Sequence, residues 1–418
     1  MGVLAINGGT PIRTEGYPHI GSAAGRTIGQ EELDNLTKVV QSGMLNRSSG
    51  TFVPGVEKKW AEHLGVKHCT ASTSGTAAIH IAVGALNPNP GDEIITGPIT
   101  DMGTVIPILC QNAIPVFADL RRDNIGLDAA DVERRITERT RAIIPVHLCG
   151  NATDMDPLMK LAERHNLCVI EDCSQAYGTY YKGRHVGTIG HLGTFSLQQS
   201  KHITTGDGGL TVTNDDTLGE RAVLFANKGW PNYGTGERNY VMFGMCYRMT
   251  ELQAAVLDAQ IDKVDWVTAR RTEIGDRICA AIRDFAGLQV PGVSEGGKHS
   301  YWFLPLLVDQ GKLGLTTDQL AQALGREGAP VGCHYIGRPI FMYDLLRQKR
   351  IYGESSYPFS LQPEGQEVRY EAGECPQTER ILDDMLQVSI NEKMTDQDAS
   401  DIIACFEKVW ANLQELRD

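Results

Sequence analysis

The chain is conspicuous for what it lacks. No apolar run reaches the roughly 18 residues needed to span a bilayer, and the N-terminus, Met1 to Gly9, has neither a basic leader nor a full apolar stretch. A cytoplasmic protein with no membrane contact is expected. An excess of basic residues is also missing: 39 Lys and Arg stand against 52 Asp and Glu, a formal charge of -13. Such a balance argues against nonspecific binding to nucleic acid or to anionic lipid, both of which need a basic face. There are ten cysteines, yet none forms a Cys-x-x-Cys pair. Neither a zinc site nor a disulfide framework is expected, and most cysteines read as small buried hydrophobes in a reducing compartment. Internal repeats and low-complexity tracts are absent as well.

What is present is an ordinary globular composition, 41% hydrophobic and 22% charged over 418 residues, long enough for two domains. Between about residue 65 and residue 215, short β-rich runs alternate with helical patterns. Glu93 to Thr96, Ile114 to Ala118, Arg141 to His147 and Leu167 to Asp172 read as strands; Asp154 to His165 reads as a helix with an N-capping aspartate. The alternation predicts an α/β domain with a mostly parallel, doubly covered sheet, whose ligands bind beyond the carboxyl ends of its strands. A long helix capped by Thr250 follows. Beyond it, Ser300 to Val308 and the helical stretches Thr317 to Glu327 and Thr395 to Leu416 suggest a smaller α+β domain. The expected division is an arm over 1–30, a large domain over 31–265 and a small one over 266–418. Tyr352 to Cys375, polar and rich in Gly, Pro, Ser and Glu, reads as a loop, mobile or a lid.

Three constellations could carry chemistry. Thr73-Ser74-Gly75-Thr76 opens a helix, where small residues let backbone N–H groups approach an anion such as phosphate; a plain N-cap would use the same residues. Glu171-Asp172 ends an apolar strand, and Asp172 could hold a ring nitrogen protonated or could simply cap a helix. Lys201 lies between Ser196, at the end of another strand, and the turn Thr205-Gly206-Asp207-Gly208-Gly209. A lysine there is either a solvated loop residue or, if burial disfavours its ammonium form, a nucleophile toward carbonyls. Phosphate cradle, strand-end acid and lysine, in that order, are the parts of a pyridoxal-phosphate enzyme.

The motifs just given, with Gly91-Asp92-Glu93-Ile94-Ile95, Ile144-Pro145-Val146-His147 and Tyr247 to Gln253, resemble the DegT/StrS family of sugar and cyclitol aminotransferases from about Glu31 to the C-terminus. The resemblance implies the fold-type I, aspartate-aminotransferase-like architecture and a homodimer with shared active sites. It implies pyridoxal 5'-phosphate as cofactor, with pyridoxamine 5'-phosphate as intermediate. By position, Lys201 becomes the Schiff-base lysine and proton shuttle, Asp172 the partner of the pyridine nitrogen and Gln175 a partner of the ring hydroxyl, while Gly75, Thr76 and Ser196 hold the phosphate. The implied activity moves an amino group from L-glutamine or L-glutamate to a keto-sugar or keto-cyclitol. Gln198 points to the glutamine:scyllo-inosose branch. Trp230, in the segment Trp230 to Tyr233, and His334-Tyr335 are candidates for the substrate mouth, and His147 is read as structural. Two departures stand out: Asp101 where the family has a stacking aromatic, leaving Met102 to cover the ring, and Cys246 where it has an inter-subunit Asn. A dehydratase or lyase on the same scaffold is the alternative, disfavoured because Lys201 is retained with His202 only as its neighbour. A cofactor-binding regulator without turnover is the other.

Overall fold

The computed structural model describes residues 2–231 and 239–417. Seven strands form its main sheet: β1 (His68–Ser72), β2 (Glu93–Thr96), β3 (Ile114–Phe117), β4 (Thr140–Ile144), β5 (Cys168–Asp172), β6 (Leu192–Ser196) and β7 (Gly209–Thr213). They lie in the order β1-β7-β6-β5-β4-β2-β3. Strand β7 runs antiparallel to its two neighbours, and the remaining pairs are parallel. Every residue of β2, β3, β6 and β7 is buried. That double coverage is why these segments read as unbroken rather than alternating apolar runs.

Helices cover the sheet. Among them α1 (Gly75–Leu86) follows β1, α2 (Met102–Cys110) follows β2 and α3 (Met155–His165) precedes β5. Helix α1 is buried almost throughout, wedged between the sheet and the helix Asp216–Ala226, where Gly84 leaves room for the Phe225 ring. Asp154 occupies the N-cap position of α3, but its carboxylate accepts from the Tyr181 hydroxyl at 2.5 Å and from no N–H of the helix.

The long helix, here α4 (Glu251–Ile282), carries the capping box of Thr250 with Gln253. Its first half sends Ala254, Leu257, Ile261 and Val264 into the core beneath the main sheet; its second half sends Ile274, Ile278, Cys279 and Ile282 into a second core. The helix therefore passes unbroken through residue 265, the expected division point. Around the second core lies an antiparallel sheet of β8 (Leu288–Gln289), β9 (Phe303–Val308), β10 (Val331–Cys333) and β11 (Met385–Ser389), in the order β8-β9-β11-β10. Arg271 of α4 and Glu392, both almost fully buried, pair at 2.8 Å and tie helix to sheet. The N-terminal arm belongs to this second body too, with Leu4 buried in its core and Ala5 N–H donating to Glu327.

Residues 352–375 contain little regular structure, but they are anchored. Phe359 and Tyr370 are buried against Phe117 and Phe341, and the Tyr370 hydroxyl donates to the Pro115 carbonyl at 2.6 Å. The segment covers the outer edge of the sheet at β3 and does not line the cavity below. This corrects the reading of a mobile segment or lid: its few aromatic residues find an apolar seat that composition does not reveal.

Candidate active site

A cavity of about 360 Å³ opens beyond the carboxyl ends of the parallel strands. Lys201 reaches it from the turn after β6, where Lys201 N–H bonds back to the Gln198 carbonyl at 2.9 Å. Two distant segments clamp this turn: Arg26 of the arm donates to the Lys201 carbonyl at 2.8 Å, and the Trp302 indole donates to the Ser200 carbonyl at 2.8 Å. The Lys201 Nζ lies 4.2 Å from the centroid of the Trp302 ring. Burial pulls the ammonium down from its ordinary 10.5 to about 8, against Asp172 and Asp101, which favour the charged form. An amine so tuned is partly free base near neutrality and can attack a carbonyl. Neighbouring His202 turns away; its Nε2 meets the Ser300 carbonyl at 3.1 Å, and burial first, then the charge of Arg271, holds the imidazole neutral.

Asp172, at the tip of β5, is 2% exposed. One carboxylate oxygen accepts from the Thr104 hydroxyl at 2.8 Å and the other from Ser174 N–H at 3.0 Å, leaving lone pairs for a further donor. Thr104 is itself within 2.6 Å of the Thr100 hydroxyl, one helical turn back. No helix starts after Asp172, so the helix-cap alternative fails. Gln175 accepts from Cys149 N–H at 2.9 Å and donates to the Tyr335 hydroxyl at 3.1 Å, an arrangement that fixes the amide and stations Tyr335 at the cavity wall.

The third component is the start of α1. Ser74 caps the helix by accepting from Ala77 N–H at 3.0 Å. The amides of Gly75 and Thr76, which line the cavity, have no protein partner among the described residues. A Cβ on Gly75 would fall 2.5 Å from the Ser196 Cβ, so only glycine lets β6 approach this helix end. Free N–H groups, the positive end of a helix dipole and the Ser196 hydroxyl make a seat for phosphate. An acceptor suited to a pyridine nitrogen, a seat suited to phosphate and an amine suited to a carbonyl carbon thus share one cavity, and its chemistry fits pyridoxal phosphate.

The cavity brings together Gly75, Thr76, Asp172, Gln175, Ser196, Gln198, Lys201 and Tyr335. It leaves out three other expected residues. Met102 packs among Val105, Leu109 and Phe341: Asp101 caps α2 and faces the cavity, and the next position, about 100° further round, faces the apolar side. His334 is held outside by the Leu382 carbonyl and Asp318, each at 3.1 Å. Trp230 packs near Tyr240, and Tyr233 lies outside the described residues. Cys246 is exposed and does not line the cavity of its own chain. Thr104 and Trp302 were not foreseen. The Thr100-x-x-x-Thr104 spacing is a local signal for the first; for Trp302, about 100 residues away from Lys201 in sequence, none exists.

His147 and Glu171 meet at 3.0 Å, both fully buried, behind β5. Since His147 Nδ1 accepts from Thr153 N–H, its proton sits on Nε2 and is donated to Glu171, which also accepts from the amides of Gly187, Ile189 and Gly190. This pair is structural.

Comparison with known proteins agrees with this geometry. The model of the DegT/DnrJ/EryC1/StrS aminotransferase family matches residues 26–407. The L-glutamine:2-deoxy-scyllo-inosose aminotransferase of Micromonospora echinospora is 33% identical over 100% of both chains. A GDP-perosamine synthase of Caulobacter vibrioides is 37% identical over 75% of this chain and 84% of its own. The crystal structure of an aminotransferase from Psychrobacter cryohalolentis superposes with a TM-score of 0.80 at 28% identity, covering 93% of this chain and 98% of that one. The chain belongs to the DegT/DnrJ/EryC1/StrS aminotransferase family and is a pyridoxal-phosphate-dependent aminotransferase.

Proposed function

We propose that the enzyme takes its amino group from L-glutamine or L-glutamate and delivers it to a ketone on a sugar or cyclitol ring. The observation that carries this reading is the convergence of Lys201, Asp172 and the free amides of α1 on one polar cavity. Bound pyridoxal phosphate supplies a carbonyl for exchange of amines and an electron sink. In this reading the Lys201 amine would anchor it and, once free, would hold and move the donor's α-proton. Asp172, oriented by Thr104, would keep the ring nitrogen protonated, Gln175 and Tyr335 would line the ring, and Gly75, Thr76 and Ser196 would hold the phosphate. Gln198 stands at the substrate side, its amide oxygen engaged by Ser200. The likeness to an enzyme named for glutamine and a cyclitol ketone over its full length supports that class of acceptor. Assembly as a homodimer with shared sites is supported by the apolar run of Tyr240, Val241 and Phe243, exposed among the described residues of one chain. The dehydratase alternative has no support in the placement of His202, which faces away from the cavity.

The test is the visible spectrum of the holoenzyme before and after L-glutamine, without acceptor, beside Lys201→Ala. Loss of the aldehyde-form band in the wild type, and not in the variant, is expected; a bound cofactor unmoved by glutamine, glutamate or alanine would favour the lyase or regulator. Acceptors are then assayed in turn, beginning with 2-deoxy-scyllo-inosose and its analogue bearing an amino group in place of one hydroxyl, followed by a nucleotide-linked keto-hexose.

A further inference from the structure

Outside the active cavity, three ligating side chains of the second body meet at its surface. Helix α5 (Thr317–Glu327) begins beside the end of β10, where one oxygen of the Asp318 carboxylate lies 3.7 Å from the Cys333 sulfur and the other 3.1 Å from His334 Nε2. All three ligand atoms lie within 4.8 Å of one another. Cys333 and His334 are adjacent, and on a strand their side chains would point to opposite faces. His334 leaves the strand with a φ of 58°, a left-handed conformation uncommon outside glycine, and its ring comes round to the side of the sulfur. The backbone is pinned there, His334 N–H donating to the Met385 carbonyl at 2.9 Å.

The imidazole is aimed as a metal ligand is. Its Nδ1 meets the Leu382 carbonyl at 3.1 Å while Nε2 faces Asp318. Both partners are acceptors, and a neutral imidazole has one N–H, so with that N–H on the carbonyl the Nε2 lone pair looks at a carboxylate oxygen. A backbone carbonyl on Nδ1 is the usual brace for a histidine that ligates through Nε2. A second proton on the ring would also satisfy the carboxylate, but it would leave Cys333 without a part; a cation uses all three groups.

Sulfur, nitrogen and oxygen together suit zinc. With bonds of about 2.0–2.3 Å, tetrahedral zinc spaces its ligands about 3.3–3.8 Å apart, close to the separations found here, and three protein ligands leave a fourth position for water. A thiolate and a carboxylate would balance the charge of the divalent ion. The Asp318 side chain is 73% exposed and that of His334 28%, so an ion can enter from solvent. The next residue, Tyr335, also has a left-handed φ, of 43°, and its hydroxyl meets Gln175 in the active cavity. We propose that Asp318, Cys333 and His334 bind one zinc ion, and that the ion pins the start of α5 to the turn that presents Tyr335 to the active cavity. Asp318 stands 15 residues before Cys333, so cysteine spacing along the chain carries no sign of this mixed set.

The probe is Co²⁺, followed by Zn²⁺, added to tag-free holoenzyme. Binding of one Co²⁺ per chain is expected, with the intense d–d bands of a tetrahedral ion to the red of the cofactor's absorption, and Zn²⁺ should abolish them. Cys333→Ser and Asp318→Asn should each weaken binding by at least about a hundredfold, more than the loss of an outer hydrogen-bond partner costs, while Cys110→Ser, at an exposed cysteine outside the cluster, leaves it unchanged. Retention of the cofactor by each variant reports that it is folded. Zn²⁺ should also slow amide hydrogen exchange across residues 331–336 in the wild type and not in Cys333→Ser. No stoichiometric binding, the weak spectrum of an octahedral ion, or equal affinity in wild type and Cys333→Ser overturns the site; tight binding that leaves exchange across 331–336 unchanged overturns the pinning.

Discussion

Adjacent carboxylates at the end of β5 do different work because neighbouring side chains on a strand point to opposite faces. Glu171 turns into the protein and is consumed by His147 and three backbone amides, while Asp172 turns to the cavity with acceptor capacity to spare. Replacing Asp172 by Asn should therefore slow the glutamine half-reaction by on the order of a hundredfold while leaving the fold intact, as stopped-flow absorbance and circular dichroism would show. Lys201→Ala should remove at least a further roughly hundredfold, the usual worth of a placed proton carrier, beyond losing the covalent anchor. The depressed Lys201 value has a thermodynamic consequence in the cofactor-free protein. Below pH 8 the folded chain must bury an ammonium that the unfolded chain keeps in water; as pH rises from about 8 toward 10.5 the folded form has already shed the proton and the penalty fades. Cofactor-free Lys201→Met should accordingly be more stable than the parent below pH 8, by of order 2 kcal/mol, with the gap closing toward pH 10.5 in urea titrations.

At the level of elements, the site is assembled from the ends of strands and the beginnings of helices. β1 delivers the phosphate seat, β2 delivers Asp101 and Thr104, β5 delivers Asp172 and β6 delivers Lys201. The closest fit among them is Gly75 against Ser196, where an added methyl has no room. Gly75→Ala should weaken cofactor binding by at least about tenfold, measured by absorbance titration of the stripped protein, because the displaced helix end loses its aim on the phosphate. The cap of α4 offers a control that touches no ligand. Thr250→Ala removes the acceptor for Gln253 N–H and should cost about 1 kcal/mol of stability with cofactor affinity unchanged.

For the whole molecule, α4 contributes to both cores, as do β9 and β11, and the arm and second sheet return to the site from a great distance in sequence. Arg26 grips the Lys201 turn, Trp302 lies beside the amine and Tyr335 meets Gln175. The buried pair of Arg271 and Glu392 sits where these parts join. Removing one partner by Glu392→Gln leaves a buried guanidinium unmatched and should destabilise by about 3 kcal/mol in chemical denaturation. The exposed Phe243, 72% accessible in a single chain, is the most open apolar residue of its run. Phe243→Asp should shift the mass seen by light scattering from dimer toward monomer and reduce turnover with it, since the proposed sites are shared; a monomeric parent would overturn the shared-site arrangement.

Much of this was legible from the chain alone. The strand runs at Glu93, Ile114 and Leu167, the cap at Thr250, the glycine before the helix at Thr76 and the acid at a strand end are local signals, and each rests on backbone preference or on burial imposed by neighbours a few residues away. Those signals determined the α/β architecture and the set of Gly75, Asp172 and Lys201. The tertiary structure decided the rest. Which side of a helix start faces a cavity, Asp101 or Met102, depends on where the sheet lies. Whether Tyr352 to Cys375 is free or seated depends on an apolar edge more than 200 residues earlier in the chain. That Trp302 covers the lysine, and that His334 does not share the site with Tyr335, follows from how the second sheet docks, a matter of long-range packing that leaves no periodic trace in the sequence.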